Sequence, residues 1–290
     1  MRMIRQLKSI TYSVSLCLWL VGCLSVRPVP PATRPPGAEL SRADNLALGN
    51  PNGATTGDPN NYLIIRPQYV LSYSRDRGIA NWVSWHLSPA WKGNARRTDA
   101  FRPDPSLPPG WYAARPSDYT NTGFDRGHLC PSDDRDVSPG DNAATFLLTN
   151  IVPQAPRHNR EVWKYLEEYG RKLMDAGNDV YIIAGTSGTG GTGQNGYAET
   201  LPGGKVTVPA TLWKILMVVP TGSDSRFDIT ENTRVIAVNI PNNQSAADKP
   251  WQAYITSVDA LENLTGYDFL SNVSTDVQRI IEARRDGVEN

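Results

Sequence analysis

Disulfide chemistry has little to work with in this chain: 290 residues carry three cysteines, Cys17, Cys23 and Cys130. Two of these fall within the first 23 residues, so Cys130 is left without an intramolecular partner and no disulfide framework is expected. Net charge is missing too, with 29 basic against 29 acidic residues. Such a balance gives no global field to hold a polyanion, so any attraction to one must come from a local cluster of cations. Long hydrophobic runs are absent: the uncharged N-terminal run from Ser9 to Cys23 is too short for a comfortable membrane span. No internal repeat is visible. The glycine-rich "TSGTGGTGQNG" (186–196) lacks the lysine and hydroxyl residue that end a phosphate-cradling loop, and it reads as a flexible connection. What the chain does have is 39% hydrophobic residues and eight tryptophans, enough for a core and against a disordered chain.

The N-terminus reads as an export signal rather than as part of the fold. Arg2, Arg5 and Lys8 precede the uncharged run, which ends in "LVGC" at Leu20–Cys23. That ending resembles the lipobox of bacterial lipoproteins, in which the cysteine becomes the lipidated first residue. Residues 1–22 are therefore expected to be a signal peptide of lipoprotein type, with Cys23 as the lipidation site. Ordinary secretion with cleavage nearby is the alternative. Residues 23–39 follow as a tether, with five prolines between Pro28 and Pro36 favouring a stiff, extended chain. Removing residues 1–22 takes away three of the 29 basic residues, which leaves 26 against 29 acidic ones and a net charge of −3.

Residues 40–290 read as one domain of mixed α+β class. Runs rich in Val, Ile, Tyr and Trp, bounded by Gly, Pro or Asn, predict strands at 61–67, 68–74, 81–88, 179–186, 212–220 and 234–240. One long helix is predicted at 159–178. Val162, Leu166, Tyr169 and Leu173 form its apolar stripe, Asn159 is the expected N-cap and Gly177 the expected stop. Asn159, Trp163, Glu167 and Arg171 recur every four residues along an adjacent face. They are either a cleft-facing row or a capped helix with an ordinary Glu–Arg surface pair.

"GFDRGHLCPSDDR" (123–135) concentrates arginine, histidine, cysteine and aspartate. If its first half is extended, Arg126 and His128 project to one side. A cation and an imidazole placed together suit a phosphodiester: the guanidinium meets phosphate oxygens and the imidazole takes a proton from water.

"DRGHLCPSDDR" resembles the DRGH signature of the DNA/RNA non-specific endonucleases, the ββα-metal family that includes the secreted Serratia nuclease. "TNIVPQAPRHNREVWKYLEEYGR" (149–171) is similar to the family's second block. "NWVSWHL", "WKGNARRTDAFRPD", "LPPGW", "KVTVPATLWKI", "NTRVIAVNIPN" and "LTGYDFLSNVS" resemble the cyanobacterial nuclease A type. The likeness runs over roughly residues 40–285. It implies a central antiparallel sheet carrying a ββα-metal motif and an exported endonuclease that cuts DNA and RNA, single- or double-stranded, with little sequence specificity and leaves 5′-phosphate ends.

The resemblance also implies roles. His128 matches the general base. Asn159 matches the one direct protein ligand of a single Mg²⁺ or Mn²⁺, and Glu167 the acid that holds water on that metal. Arg126, Arg97 and Arg171 match the phosphate-binding arginines; Arg97 is preferred to Arg96 because the pattern places an Asp two residues further on. Asp125 has a supporting role. A membrane held through the lipid anchor is an expected partner, and a protein inhibitor is left open. Two competing readings stand beside this one: a zinc cluster of His128, Cys130, His158 and an acid, and an inactive, polyanion-binding relative at the cell envelope.

Overall fold

Along residues 211–220 the side chains alternate between two destinations. Leu212 and Leu216 point into one hydrophobic core, while Trp213, Ile215, Met217 and Val219 point into another. A strand buried on both faces needs apolar residues at nearly every position, which is why this segment reads as a continuous apolar run rather than an alternating one. The same double burial holds for residues 178–187 and 234–241.

The structure, a computed structural model, describes residues 45–221 and 229–287. Its strands are β1 (Tyr62–Ile65), β2 (Val70–Ser74), β3 (Ile79–Leu87), β4 (Asp125–His128), β5 (Ile151–Gln154), β6 (Asn178–Ser187), β7 (Gly191–Gly193), β8 (Gly196–Ala198), β9 (Thr211–Pro220), β10 (Arg234–Pro241) and β11 (Ile255–Thr256). Seven of them form one antiparallel sheet in the order β1-β2-β3-β6-β9-β10-β11. The six strands expected from sequence are all present in it, and the α+β class with a central antiparallel sheet holds. The helices are α1 (Pro139–Ala144), α2 (Lys164–Asp175), α3 (Val258–Thr265) and α4 (Thr275–Ile281). Among the described residues no helix is long and apolar enough to cross a membrane. The expected signal peptide (1–22), the tether (23–39) and Cys23 lie outside the described residues.

One face of the sheet carries the β4–β5 pair and the α2 region, whose Leu129, Cys130, Ile151, Val152, Val162, Trp163 and Leu166 join the first core. The opposite face carries α3, α4, the chain between them and the segment around Ala47–Ala54, and Val258, Leu261, Phe269 and Ile281 share its core with Trp213 and Ile215.

Two expectations need correction. The glycine-rich stretch is not a flexible connection. β6 runs on to Ser187, and β7 and β8 then pair as a hairpin. Its backbone is tied to the body by Thr192 N donating to Asn242 O (2.9 Å) and Gln194 N donating to Gly123 O (2.9 Å). Small residues serve here because other backbone approaches closely, a need that local composition does not reveal. The long helix also begins differently. Residues His158–Trp163 form a π-helical turn that runs into α2, so Asn159 lies inside the first turn and is not its N-cap. The expected stop is correct: Gly177 has φ of +91° just past the helix end, a left-handed conformation that costs glycine least.

Candidate active site

β4 and β5 pair antiparallel with His128 opposite Ile151 and Asp125 opposite Gln154. The chain then passes directly into the π-turn and α2, giving two strands and a helix around one cleft. Gly127 is required by this pairing, since a Cβ there would overlap the side chain of Gln154. Gln154 is fully buried and its Nε2 lies 3.2 Å from His158 Nδ1, so it has no room to yield.

The cleft, about 340 Å³, is lined by Arg97, Arg126, His128, Asn159, Glu167 and Arg171, together with Ser132, Asp133, Arg160 and Lys164. All six residues given catalytic, phosphate or metal roles from sequence therefore meet at one place. The regular four-residue row does not. Trp163 is turned into the core, where it is 1% exposed. The π-turn explains this: a wider turn brings residues five apart into line, so Asn159 shares its face with Lys164, and the α-helical spacing then adds Glu167 and Arg171.

Each side chain has a distinct support. Asp125 accepts hydrogen bonds from Asn159 Nδ2 (2.9 Å) and, in a fork, from Arg160 Nε and an Arg160 terminal nitrogen (2.8 and 2.6 Å). With its amide nitrogen engaged, Asn159 keeps its Oδ1 free of hydrogen bonds among the described residues. Arg97 donates to Asp99 (2.7 Å) and to Ser132 Oγ (2.8 Å), which accounts for the Asp two residues after it. Its guanidinium lies over the Phe146 ring at 4.9 Å, and that of Arg126 lies over Phe101 at 4.7 Å. His128 packs against both rings, with centroids at 5.5 Å from Phe101 and 4.8 Å from Phe146. Two phenylalanines thus set the relative positions of the imidazole and two guanidinium groups. Arg126 has no hydrogen-bonding partner among the described residues and points a free fork at the cleft.

Burial, helped by the charge of Arg97, lowers the His128 pKa to about 3 and keeps the ring neutral near pH 7. Its Nε2 is buried with no hydrogen-bond partner among the described residues, while the ring lines the cleft. Burial raises the Glu167 pKa to about 7, against the pull of Lys214 and Arg171. Lys214 is 1% exposed, with its Nζ 3.7 Å from Glu167 Oε1 and 4.1 Å from the Trp163 ring centroid. Arg171 donates to Asp134 at 3.0 Å, and Trp85 Nε1 holds the other Asp134 oxygen at 2.9 Å.

Sequence reading did not single out Arg160, Lys164, Phe101, Phe146 or Lys214. Lys214 carried a signal, a lone charge inside the apolar run "LWKILMVVP"; the two phenylalanines carried none. The zinc reading fails. Cys130 and His158 are fully buried, burial pushes the Cys130 thiol up to about 12, and neither lines the cleft. Among the described residues, His128, Cys130 and His158 do not come within metal-sharing distance of one another. The other histidine, His86, stacks on Tyr181 at 4.3 Å away from the site.

Residues 50–276 match the family model described as DNA/RNA non-specific endonuclease. The chain belongs to that family. A nuclease of Nostoc sp. is 48% identical over 275 residues, spanning 94% of this chain and 96% of its own. Human mitochondrial endonuclease G is 31% identical over 216 residues, 72% of this chain and 69% of its own. In solved structures, an EndoG in complex with EndoGI superposes with a TM-score of 0.67 at 22% identity, covering 82% of this chain and 94% of that one; this likeness bears on the fold alone. Membership makes the chain a nuclease, a hydrolase acting on nucleic acid.

Proposed function

We propose that this endonuclease hydrolyses phosphodiester bonds of DNA and RNA at the His128–Asn159–Glu167 cleft with one Mg²⁺ or Mn²⁺, leaving 5′-phosphate ends. The observation that carries this reading is the pairing of a neutral, cleft-facing His128 with the free Oδ1 of Asn159, inside a ring of five cations and two carboxylates.

The donor set fits a hard divalent cation. One neutral amide oxygen and a nearby carboxylate suit an ion that keeps most of its waters. Asn159 would hold it directly, with Glu167 holding water beside it. When bound, the ion supplies charge stabilisation for the phosphate and the departing 3′-oxygen. His128 takes the proton from the attacking water as that water's oxygen bonds to phosphorus. Arg126, whose guanidinium has no hydrogen-bond partner among the described residues and lies over Phe101, grips phosphate oxygens. Arg97, Arg171, Arg160 and Lys164 add positive charge where negative charge develops. Asp125 fixes the Asn159 amide, so its carbonyl oxygen faces the cleft rather than its nitrogen. These groups recognise the phosphodiester and not the bases, which accounts for low sequence specificity. The inactive reading needs the loss of His128, Asn159 or Glu167, and all three are in place. A protein inhibitor closing this cleft is a partner the reading admits, since the fold relative was solved with one.

The N-terminal series of charged start, apolar run, "LVGC" and proline-rich spacer supports export, with Cys23 lipidated and the domain tethered outside the cytoplasm. A lipid anchor is effective because each buried CH₂ contributes about 0.8 kcal/mol. Mass spectrometry of the mature N-terminus tests this; an unmodified end beyond residue 23 contradicts it.

Digestion of plasmid DNA and of RNA, with Mg²⁺, with Mn²⁺ and with EDTA, tests the activity. Cleavage of both polymers to 5′-phosphorylated fragments, abolished by EDTA, is expected. Cleavage unaffected by EDTA, or confined to one sequence, overturns the reading.

A further inference from the structure

On the sheet face opposite the cleft, three carboxylates meet without a cation. Asp259 and Glu262 lie one turn apart on α3, and Glu282 follows the last residue of α4. An oxygen from each lies within 4.8 Å of the others. Glu282 is only 7% exposed, and its Oε1 is buried with no hydrogen-bond partner. Glu262 accepts one hydrogen bond, from Phe269 N at 2.8 Å. A fourth carboxylate, Asp268, adds its field to both Glu262 and Glu282. No lysine or arginine pairs with any of the four among the described residues.

A buried carboxylate with no partner is costly, and crowding it with like charges adds to the cost. Burial and the neighbouring Glu262, Asp259 and Asp268 together push Glu282 up to about 8. Among the described residues, Asp104 pairs with Arg66, Asp134 with Arg171 and Glu167 with Lys214, while the buried Asp179 has His86 at 3.4 Å as its ionic contact. Here the counter-charge is lacking, and the side chain that lacks it most is aimed at the other two.

We propose that Asp259, Glu262 and Glu282 form a second divalent-cation site, structural in role and of calcium type, which pins the segment after α4 to α3. The donor chemistry selects the ion class. All three donors are hard carboxylate oxygens with no histidine or cysteine among them, which suits Ca²⁺ rather than zinc or copper. The spacing permits one ion: with Ca–O distances of roughly 2.3–2.6 Å, oxygens up to about 5 Å apart can share it. The backbone already brings the two segments together, Asp259 N donating to Glu282 O at 3.1 Å. Val258, Leu261 and Ile281 beside these residues are part of the second core, so an ion here would brace that core and not the catalytic cleft.

The test uses the full chain stripped with EDTA. Ca²⁺ binding is measured by equilibrium dialysis and the thermal midpoint is followed as Ca²⁺ is added. The wild type and Asn159→Ala, which lacks the proposed catalytic ligand, are both expected to keep one Ca²⁺ per chain at this site and a raised midpoint. In Glu282→Gln that binding is lost. In Asp259→Asn, which removes a charge from the rim and leaves the core intact if Glu282→Gln does not fold, it weakens by roughly tenfold or more. Loss of all Ca²⁺ binding in Asn159→Ala overturns the proposal, as does unchanged binding in both carboxylate variants.

Discussion

His128 is buried enough to stay neutral and open enough to reach substrate, and the two demands have a measurable cost. Its folded pKa of about 3 lies below the ordinary value of 6.5. The unfolded chain therefore takes up a proton below pH 6.5 that the folded chain refuses. The stability tied to the neutral ring is complete above pH 6.5 and is lost as pH falls toward 3. Urea denaturation in EDTA at pH 7.5 and 5.0 is expected to show His128→Gln losing on the order of 2 kcal/mol less than wild type over that interval. Equal losses would show that His128 is not buried as described. Lys214 poses the complementary case. Among the described residues its ammonium has no hydrogen bond, and it lies between the Trp163 face and Glu167. Lys214→Met is expected to destabilise the protein by roughly 3 kcal/mol, and by clearly less in a Glu167→Gln background, because the cost is that of stranding a buried carboxylate. An equal cost in both backgrounds would reduce Lys214 to a packing role.

Among the elements, the β4–β5 pair and the turn into α2 decide the site. Gly127 lies opposite Val152, and the Gln154 side chain fills the space a Cβ would need. Gly127→Ala is expected to lower stability by about 1–3 kcal/mol through forced displacement of Gln154, and to cut activity because His128 is the next residue. Full activity at unchanged stability would contradict the tight register. This element was half legible in the sequence. Arg126 and His128 two apart on an extended strand were readable from period two alone, and residues 159–171 were readable as helical. The π-turn was not readable, because one extra residue per turn leaves no mark on an apolar pattern dominated by Val162 and Leu166. Asn159 therefore read as a cap, and Trp163 fell into one row with Asn159, Glu167 and Arg171 although it belongs to the core. Phe101 and Phe146 were invisible for another reason: they reach the site from distant loops, and nothing local ties them to His128.

At the scale of the whole molecule, one seven-stranded sheet separates two cores, and the cleft is built on one face. The strands were legible because double burial leaves long apolar runs in the sequence. The β7–β8 hairpin was not, since its order comes from hydrogen bonds to residues 123 and 242 far along the chain. Charge is organised on the same scale. With residues 1–22 removed the chain has a net charge of −3, yet Arg97, Arg126, Arg160, Lys164 and Arg171 ring the cleft. Affinity for nucleic acid is expected to fall with salt through these few groups, and Lys164→Ala should reduce the log–log salt slope by about 0.7–0.9 for the phosphate contact it removes. A slope unchanged by Lys164→Ala, Arg160→Ala and Arg126→Ala would place the binding surface elsewhere. The central claim is that this one cleft performs the hydrolysis with His128 as base. Its most direct test is the turnover of His128→Ala against wild type on double-stranded DNA in saturating Mg²⁺, with folding checked by circular dichroism. A folded variant slower by about 10²–10⁴-fold or more is the result the account predicts. A folded His128→Ala that cuts at the wild-type rate would contradict it.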